Sequence, residues 1–375
     1  MKLKLAFFYN LNFGGAKRAL FEQVQGLIKK GHQVDVYTTD SADDMFTPNI
    51  IATNFKRFSY SEPQVKIPVI SRPVHDYMTL RSLHSLHKNI AAEIDSQNYN
   101  LLIAHPDKMT QAPLLLQYLQ TKSAYYSQEP LRICYEYLLQ LPDNFPLANR
   151  LYENYFRSVR KKSDQRSVRS ATHQLTSCYH VRERMIEAYG VFPDVSYLGI
   201  DATILKPQKV KQKNQVLFVG NKDNPIDGYE LAEAALALIP KKIRPQLVTV
   251  EWKNANNERL TDRELAELYS SSITTLCMSR LETFGLVPLE SMACGIAPIA
   301  TRVSGHRETV LDKKTGLLAE FRPEDIAEKI LFLINNPKER ITMGTRAREY
   351  VVSEWNWQKR IDELETHINR YVANK

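Results

Sequence analysis

Glu282 and Glu290 bracket the part of this chain whose residue types and spacing are best suited to chemistry. Residues 274–278 are apolar and β-prone and read as a buried strand; a helix is expected to begin close to Leu286. Glu282 falls in the loop between them, the place where open α/β sheets bind ligands. Gly285 has no side chain, so an anion can approach the free N–H groups of the helix start, which also carry a partial positive charge. Pro288 fits the first turn, where no N–H is needed. Glu290, about one turn in, can accept two hydrogen bonds from a ribose diol. Together these residues suit the diphosphate and ribose of a nucleotide. Two other readings compete. The carboxylates would be surface groups favoured by the helix dipole, or the acid and base of a glycoside hydrolase, held about 5–9.5 Å apart across the bond they cleave. An anion-binding glycine between two carboxylates on one strand-loop-helix segment fits the nucleotide better.

Further candidates lie elsewhere. His105 follows a short strand at 101–104 and is either structural or placed to meet substrate. Gly14 and Gly15 follow the first strand. Lys222, after the first strand of the second half, and Arg280, just before the Glu282 loop, are cations that could reach an anion there. His306, directly after Gly305, either touches a ligand or belongs to a variable loop, and Gln128-Glu129-Pro130 either closes part of a cleft or turns the chain. No Asp-x-Asp triplet, His-Glu-x-x-His, Walker loop or Gly-x-Gly-x-x-Gly fingerprint occurs. The sequence therefore argues against an NTPase or a dehydrogenase, and no metal or other cofactor is expected.

These residues need elements to hold them. At 375 residues the chain is too long for one ordinary core, and 43% hydrophobic with 25% charged residues is globular usage. Strand-like runs at 2–9, 33–38, 101–104, 124–127, 174–177 and 195–200 alternate with helical stretches, one running to Lys30 and another to Leu119. Residues 130–170 read as mainly helical. After a polar linker starting at 201, the alternation restarts with strands at 215–220, 246–250, 273–278 and 297–300 and helices at 229–238, 262–269 and 287–293. Such alternation predicts parallel sheets. The division expected is a first domain at 1–200, a second at 201–355, and a terminal helix from about Asn356 that returns to cover the first.

The formal charge of +8 favours an anionic partner. The densest basic run is Arg157, Arg160, Lys161, Lys162, Arg166 and Arg169, opposed only by Asp164. It reads as a solvated helix face or as a patch for lipid phosphate; no nucleic-acid motif accompanies it, so no nucleic-acid partner is expected. The N-terminal apolar run is about five residues, short of the roughly 7–15 of a secretory signal, so a cytoplasmic protein is expected, with peripheral contact at the cytoplasmic membrane face as an extension. Cys134, Cys178, Cys277 and Cys294 form no metal or redox spacing and read as structural.

Taken together, Glu282-x-Phe284-Gly285-x-x-x-x-Glu290 and the following Ser291-Met-Ala-Cys-Gly-Ile-Ala-Pro298 resemble the signature of the GT4-type retaining glycosyltransferases (glycosyl transferases group 1). The resemblance continues through Gly305-x-x-Glu308, Thr315-Gly-Leu-Leu318 and Trp355-Asn-Trp357, and is weaker in the first half, at Gly14-Gly15, His105, Leu175-Thr-Ser177 and Tyr197-Leu-Gly-Ile-Asp201. It implies the GT-B fold, two Rossmann-like α/β/α domains facing across a cleft. It implies a hexosyltransferase that takes a nucleotide-diphosphate sugar as donor and a glycan, lipid-linked or other glycoconjugate hydroxyl as acceptor, as in polysaccharide biosynthesis, without a metal and with retention at the anomeric carbon. The acceptor would be met by loops around 40–80 and 130–160. By resemblance His105 and Glu282 would be catalytic, with Glu282 on the sugar hydroxyls. Donor contacts would come from Gly15, Gly220, Asn221, Lys222, Arg280, Glu282, Thr283, Phe284, Gly285, Leu286 and Glu290, the backbone N–H groups of Phe284, Gly285 and Leu286 holding the diphosphate and Glu290 the ribose. One departure stands out. Where the family has an arginine after the strand glycine and a lysine before the next glycine, this chain has Asn221 and Asp227. Those cations neutralise a leaving diphosphate. Lys222 or Arg280 would have to replace them, or the chain would be a non-catalytic homologue that binds a partner.

Overall fold

A computed structural model describes residues 2–64, 71–136, 139–142, 144–251 and 260–373. Parts of the expected acceptor loops at 40–80 and 130–160 lie outside the described residues. The strands are β1 (Lys4–Asn10), β2 (Gln33–Thr39), β3 (Asn54–Phe58), β4 (Leu101–Asp107), β5 (Ser123–Ser127), β6 (His173–Thr176), β7 (Asp194–Val195), β8 (Gln215–Val219), β9 (Gln246–Val250), β10 (Thr274–Cys277), β11 (Ile299–Thr301) and β12 (Leu317–Ala319). The helices are α1 (Gly15–Lys29), α2 (Ser71–Asp95), α3 (Arg132–Tyr135), α4 (Leu147–Ser170), α5 (Tyr179–Tyr189), α6 (Tyr229–Ala237), α7 (Asp262–Ser271), α8 (Leu286–Ala293), α9 (His306–Thr309), α10 (Pro323–Asn335), α11 (Pro337–Glu354) and α12 (Trp357–Ala373). They form two compact units, one of Met1–Ser177, Val181–Tyr197 and Ile361–Lys375, the other of Cys178–His180 and Leu198–Arg360.

The first unit is built on a parallel sheet in the order β3-β2-β1-β4-β5-β6-β7. Its central strands are buried along nearly their whole length, as parallel strands covered on both faces must be. α12 lays Ile361, Leu364, Ile368 and Tyr371 into this core, and Gly26 of α1 leaves room for Ile361, whose side chain would lie 2.5 Å from an added Cβ. Asp164 does not oppose the basic run of α4 as expected. It is buried, accepting hydrogen bonds from the Ala112 N–H at 3.0 Å and the Tyr189 hydroxyl at 2.7 Å. Arg157, Arg160 and Arg169 donate to backbone carbonyls of the same unit and Lys161 lies 4.7 Å over the Tyr135 ring, while Lys162 and Arg166 are exposed.

Several expectations are corrected here. β4 does not stop at 104: it continues through His105 and Pro106 to Asp107, because a bulge opposite Tyr9 accommodates the proline, which has no N–H to give the ladder. The helix expected to run to Leu119 is only a 3-10 turn at Leu114–Gln117. The strand expected at 195–200 is two residues long, and Ile200 instead bridges to Asn356. β3 and the 25-residue α2 were not anticipated at all.

The second unit holds a parallel sheet ordered β12-β11-β10-β8-β9. Its core gathers Val216, Phe218, Leu276, Ile299, Ile326 and Ile330 among others.

Candidate functional site

In the second unit the strand order reverses between β8 and β10, and at such a switch point neighbouring loops leave the sheet in opposite directions and open a crevice at the strand ends. The loops after β8 and β10 are those that carry the sequence-predicted residues.

Glycines decide how closely these loops approach. Gly228 has φ +76°, and an added Cβ would lie 2.2 Å from the Met278 carbonyl oxygen. The Arg280 N–H donates to the Ile226 carbonyl at 2.8 Å, joining the same two loops. A third loop, after β11, closes on the other side: the Gly305 N–H donates to the Glu282 carbonyl at 3.0 Å, and a Cβ on Gly305 would lie 2.6 Å from the Phe284 backbone. Gly285 caps α8 with φ +97°, a conformation other residues adopt only under strain.

The structure therefore brings Gly220, Asn221, Lys222, Arg280, Glu282, Thr283, Phe284, Gly285, Leu286 and Glu290 to one end of one sheet. Their individual states are informative. Glu282 Oε1 accepts hydrogen bonds from the Gly285 N–H at 3.0 Å and the Phe284 N–H at 3.3 Å. Two of the amides expected to hold a diphosphate thus already hold an anion, the chain's own carboxylate. The Thr283 carbonyl accepts from the Cys178 thiol, and Phe284 is buried edge-on to Trp355. Glu290 is buried on α8, and the Tyr269 hydroxyl donates to its Oε2 at 2.8 Å.

The loop that departs from the family pattern is organised by the departing residues. Asp227 accepts from the Asn221 N–H and from the Asn224 side-chain amide, both at 2.7 Å, and the Asn221 side-chain oxygen accepts from the Asp223 N–H. Gly220 sits under this knot, where an added Cβ would lie 3.1 Å from an Asp227 carboxylate oxygen. Lys222 Nζ lies 5.7 Å from the Tyr229 ring centre and 3.9 Å from Glu251. The exposed Arg280 guanidinium is stacked 4.1 Å over Phe321.

Gly15 and His105 belong to the first unit. Gly15 is the first residue of α1. His105 has no exposed surface; it lies between Phe7, at 6.0 Å, and Tyr126, at 5.0 Å, with neither ring nitrogen hydrogen-bonded. Burial pushes its pKa down to about 3, so the ring is neutral. Around it, at the switch between β1 and β4, His87 Nε2 lies 3.2 Å from Asp107 Oδ2, with both side chains fully buried, and Asn10 and the Met109 N–H donate to Asp107 Oδ1.

Sequence reasoning missed two groups and misjudged the setting of a third. Tyr269 was read only as helix, since nothing local marks its partner. Lys17 in the first turn of α1 is fully buried, and burial lowers its pKa to about 8 against the pull of Asp43. His306 is no surface loop residue: it is buried against Gly285 and hydrogen-bonded through Nδ1 to Thr301, with burial lowering its pKa against the pull of Glu282. Cys178, Cys277 and Cys294 are buried, and neither they nor Cys134 are joined in a disulfide; burial first and the Glu290 charge second push the Cys294 thiol up to about 12.

Residues 258–350 match the family model described as Glycosyl transferases group 1. An uncharacterized glycosyltransferase of Methanocaldococcus jannaschii is 49% identical over 82 residues, 22% of this chain and 23% of that protein. The chain thus spans about a quarter of the length of that curated relative. Among solved structures, a sucrose-phosphate synthase from Thermosynechococcus elongatus superimposes with a TM-score of 0.74 at 17% identity, covering 99% of this chain and 100% of that one. Anabaena HepE in complex with UDP-glucose superimposes with a TM-score of 0.66 at 15% identity, covering 97% and 100%. These likenesses establish the GT-B fold.

Proposed function

We propose that this chain, whose residues 258–350 match the glycosyl transferases group 1 family model, acts as a member of that family and transfers a hexose-type sugar from a nucleotide-diphosphate donor to an acceptor hydroxyl, with retention at the anomeric carbon. The observation that carries the proposal is the loop and helix start at the β8/β10 switch, where the Phe284 and Gly285 amides, Glu282 and, one turn later, the buried Glu290 lie on one segment. The work divides accordingly. The α8 start meets the diphosphate, Glu290 the ribose, and Glu282 moves off the Phe284 and Gly285 amides to meet sugar hydroxyls. The departing phosphate, held by N–H groups and by Lys222 or Arg280 in place of the family's usual cations, takes the acceptor proton on the same face, with no resident metal.

The acceptor belongs to a glycan, a lipid-linked chain or another glycoconjugate. A membrane-bound acceptor is supported by the outer face of α4, where Leu147, Leu151 and Tyr155 are 72%, 64% and 67% exposed and Lys162 and Arg166 follow on the same face. That sequence of apolar and cationic side chains suits the surface of an anionic bilayer. Among the described residues no helix is long and apolar enough to cross a membrane, so the contact would be peripheral.

UDP-, GDP- and ADP-sugars are screened first for thermal stabilisation, then for transfer. Stabilisation by one donor, lost in Glu290→Ala, supports the site. Failure of every donor to bind supports the alternative of a non-catalytic homologue that serves as a partner subunit, and sugar release without any nucleotide supports a hydrolase.

A further inference from the structure

Tyr269 lies within the stretch that matches the family model but outside the Glu282–Glu290 motif, and its hydroxyl reaches Glu290 of that motif. α7 begins with a capping box: the Thr261 hydroxyl accepts from the Glu264 N–H at 3.2 Å, and the Glu264 carboxylate accepts from the Thr261 N–H at 2.7 Å. The helix phase set there turns Leu265, Ala266 and Tyr269 inward. Tyr269 is fully buried, and its hydroxyl donates to Glu290 Oε2 at 2.8 Å. Glu290 is only 5% exposed, so water solvates its carboxylate little and protein donors must do so. Burial first, and the Glu290 charge after it, hold the phenol far above its ordinary value, so Tyr269 remains a donor at every working pH.

We infer that Tyr269 is a positioning residue: by holding one oxygen of Glu290 it sets the plane of the carboxylate that faces the ribose, and so makes the site select ribonucleoside over deoxyribonucleoside diphosphates. The inference rests on the reading of Glu290 as the ribose ligand. A purely structural Tyr269 would affect stability while leaving the choice between ribose and deoxyribose untouched. Phenylalanine preserves the ring and its packing and removes only the donor. A carboxylate that has lost this donor is held less well in the plane that meets both ribose hydroxyls.

The test is calorimetric titration of wild type, Tyr269→Phe and Glu290→Ala with UDP against 2′-deoxy-UDP, and with GDP against 2′-deoxy-GDP. For the pair that wild type binds, Tyr269→Phe is expected to lose about tenfold in affinity for the ribonucleotide, the scale of one hydrogen bond to a charged group, and less than twofold for the deoxy analogue. If Glu290→Ala weakens binding but Tyr269→Phe keeps wild-type selectivity, the role of Tyr269 is overturned while the site stands. If Glu290→Ala binds as wild type does, or wild type binds no nucleotide, the ribose reading itself fails and this inference with it. Should Tyr269→Phe not fold, a crystal structure of the wild-type complex decides: Tyr269 still on Glu290, with the carboxylate at the ribose, supports the inference, and a Glu290 turned away from Tyr269 overturns it.

Discussion

Replacing His105 by phenylalanine is expected to remove a pH dependence from the stability of the first unit. The ring is enclosed between Phe7 and Tyr126, and burial brings its pKa from 6.5 to about 3. A histidine whose folded pKa is depressed takes up its proton only after unfolding. Stability is therefore fully present above the unfolded pKa and is lost as pH falls below it, until the folded ring also titrates near 3. Each unit of difference is about 1.36 kcal/mol. At pH 5, about 1.5 units below the unfolded value, the wild type has given up about 2 kcal/mol that it holds at pH 8. Phenylalanine keeps the aromatic stacking and has no proton to bind. Chemical denaturation of both proteins at the two pH values, followed by a probe in the first unit, should show the variant gaining about 2 kcal/mol on the wild type between pH 8 and pH 5. Equal gaps at both values would refute the argument that His105 is held neutral by burial, and would reopen a proton-carrying role for it.

Asp164 should show the opposite sign. Burial raises its pKa from 3.8 to about 6, so stability falls as pH rises through that window, and Asp164→Asn should gain about 1.4 kcal/mol on the wild type between pH 5 and pH 8 in the same denaturation assay. Gly285→Ala must hold a side chain at φ +97° with its Cβ 3.0 Å from the Thr309 hydroxyl, and should lose about 1–3 kcal/mol of stability, read as a lower Tm, together with most nucleotide affinity. Glu282→Ala frees the Phe284 and Gly285 amides, so calorimetry should find a nucleoside diphosphate bound about threefold to tenfold tighter while sugar transfer falls, because the anion competitor and the sugar ligand are the same side chain. Vesicles containing anionic lipid should sediment the wild type, and Lys162→Glu with Arg166→Glu should abolish this; equal sedimentation with neutral vesicles would remove the electrostatic part of the α4 proposal.

The second unit was largely legible because its signals are local. A strand ending near Met278, a glycine that tolerates positive φ, a proline in the first helical turn and a carboxylate one turn later all lie within a few residues, and each acts through its own backbone. Tyr269 was not legible because its hydrogen bond spans 21 residues and depends on how α7 and α8 pack. Asn221 and Asp227 showed as departures, but that they face each other and knot their own loop follows from its three-dimensional turn. In the first unit, Pro106 marked an end to β4 that the bulge overrides, so His105 was read as emerging where it is enclosed. α2 was missed because its apolar positions are interleaved with histidines, serines and charges that leave little periodic contrast, although Leu83, His87, Ile90 and Ile94 pack inward.

The hydrogen bonds from the Phe284 and Gly285 amides to Glu282 give this helix start an anion of the chain's own. A tethered carboxylate is present at high effective concentration and cannot diffuse away. Free inorganic phosphate, offering one weak interaction, would have to outcompete it and gain little. A nucleotide sugar brings a ribose for Glu290 and hydroxyls that give the displaced Glu282 a new partner, so the cost of displacement is returned elsewhere in the same molecule. The helix start would thus discriminate by the number of simultaneous attachments an anion can offer, and remain quiet in a medium rich in simple phosphates.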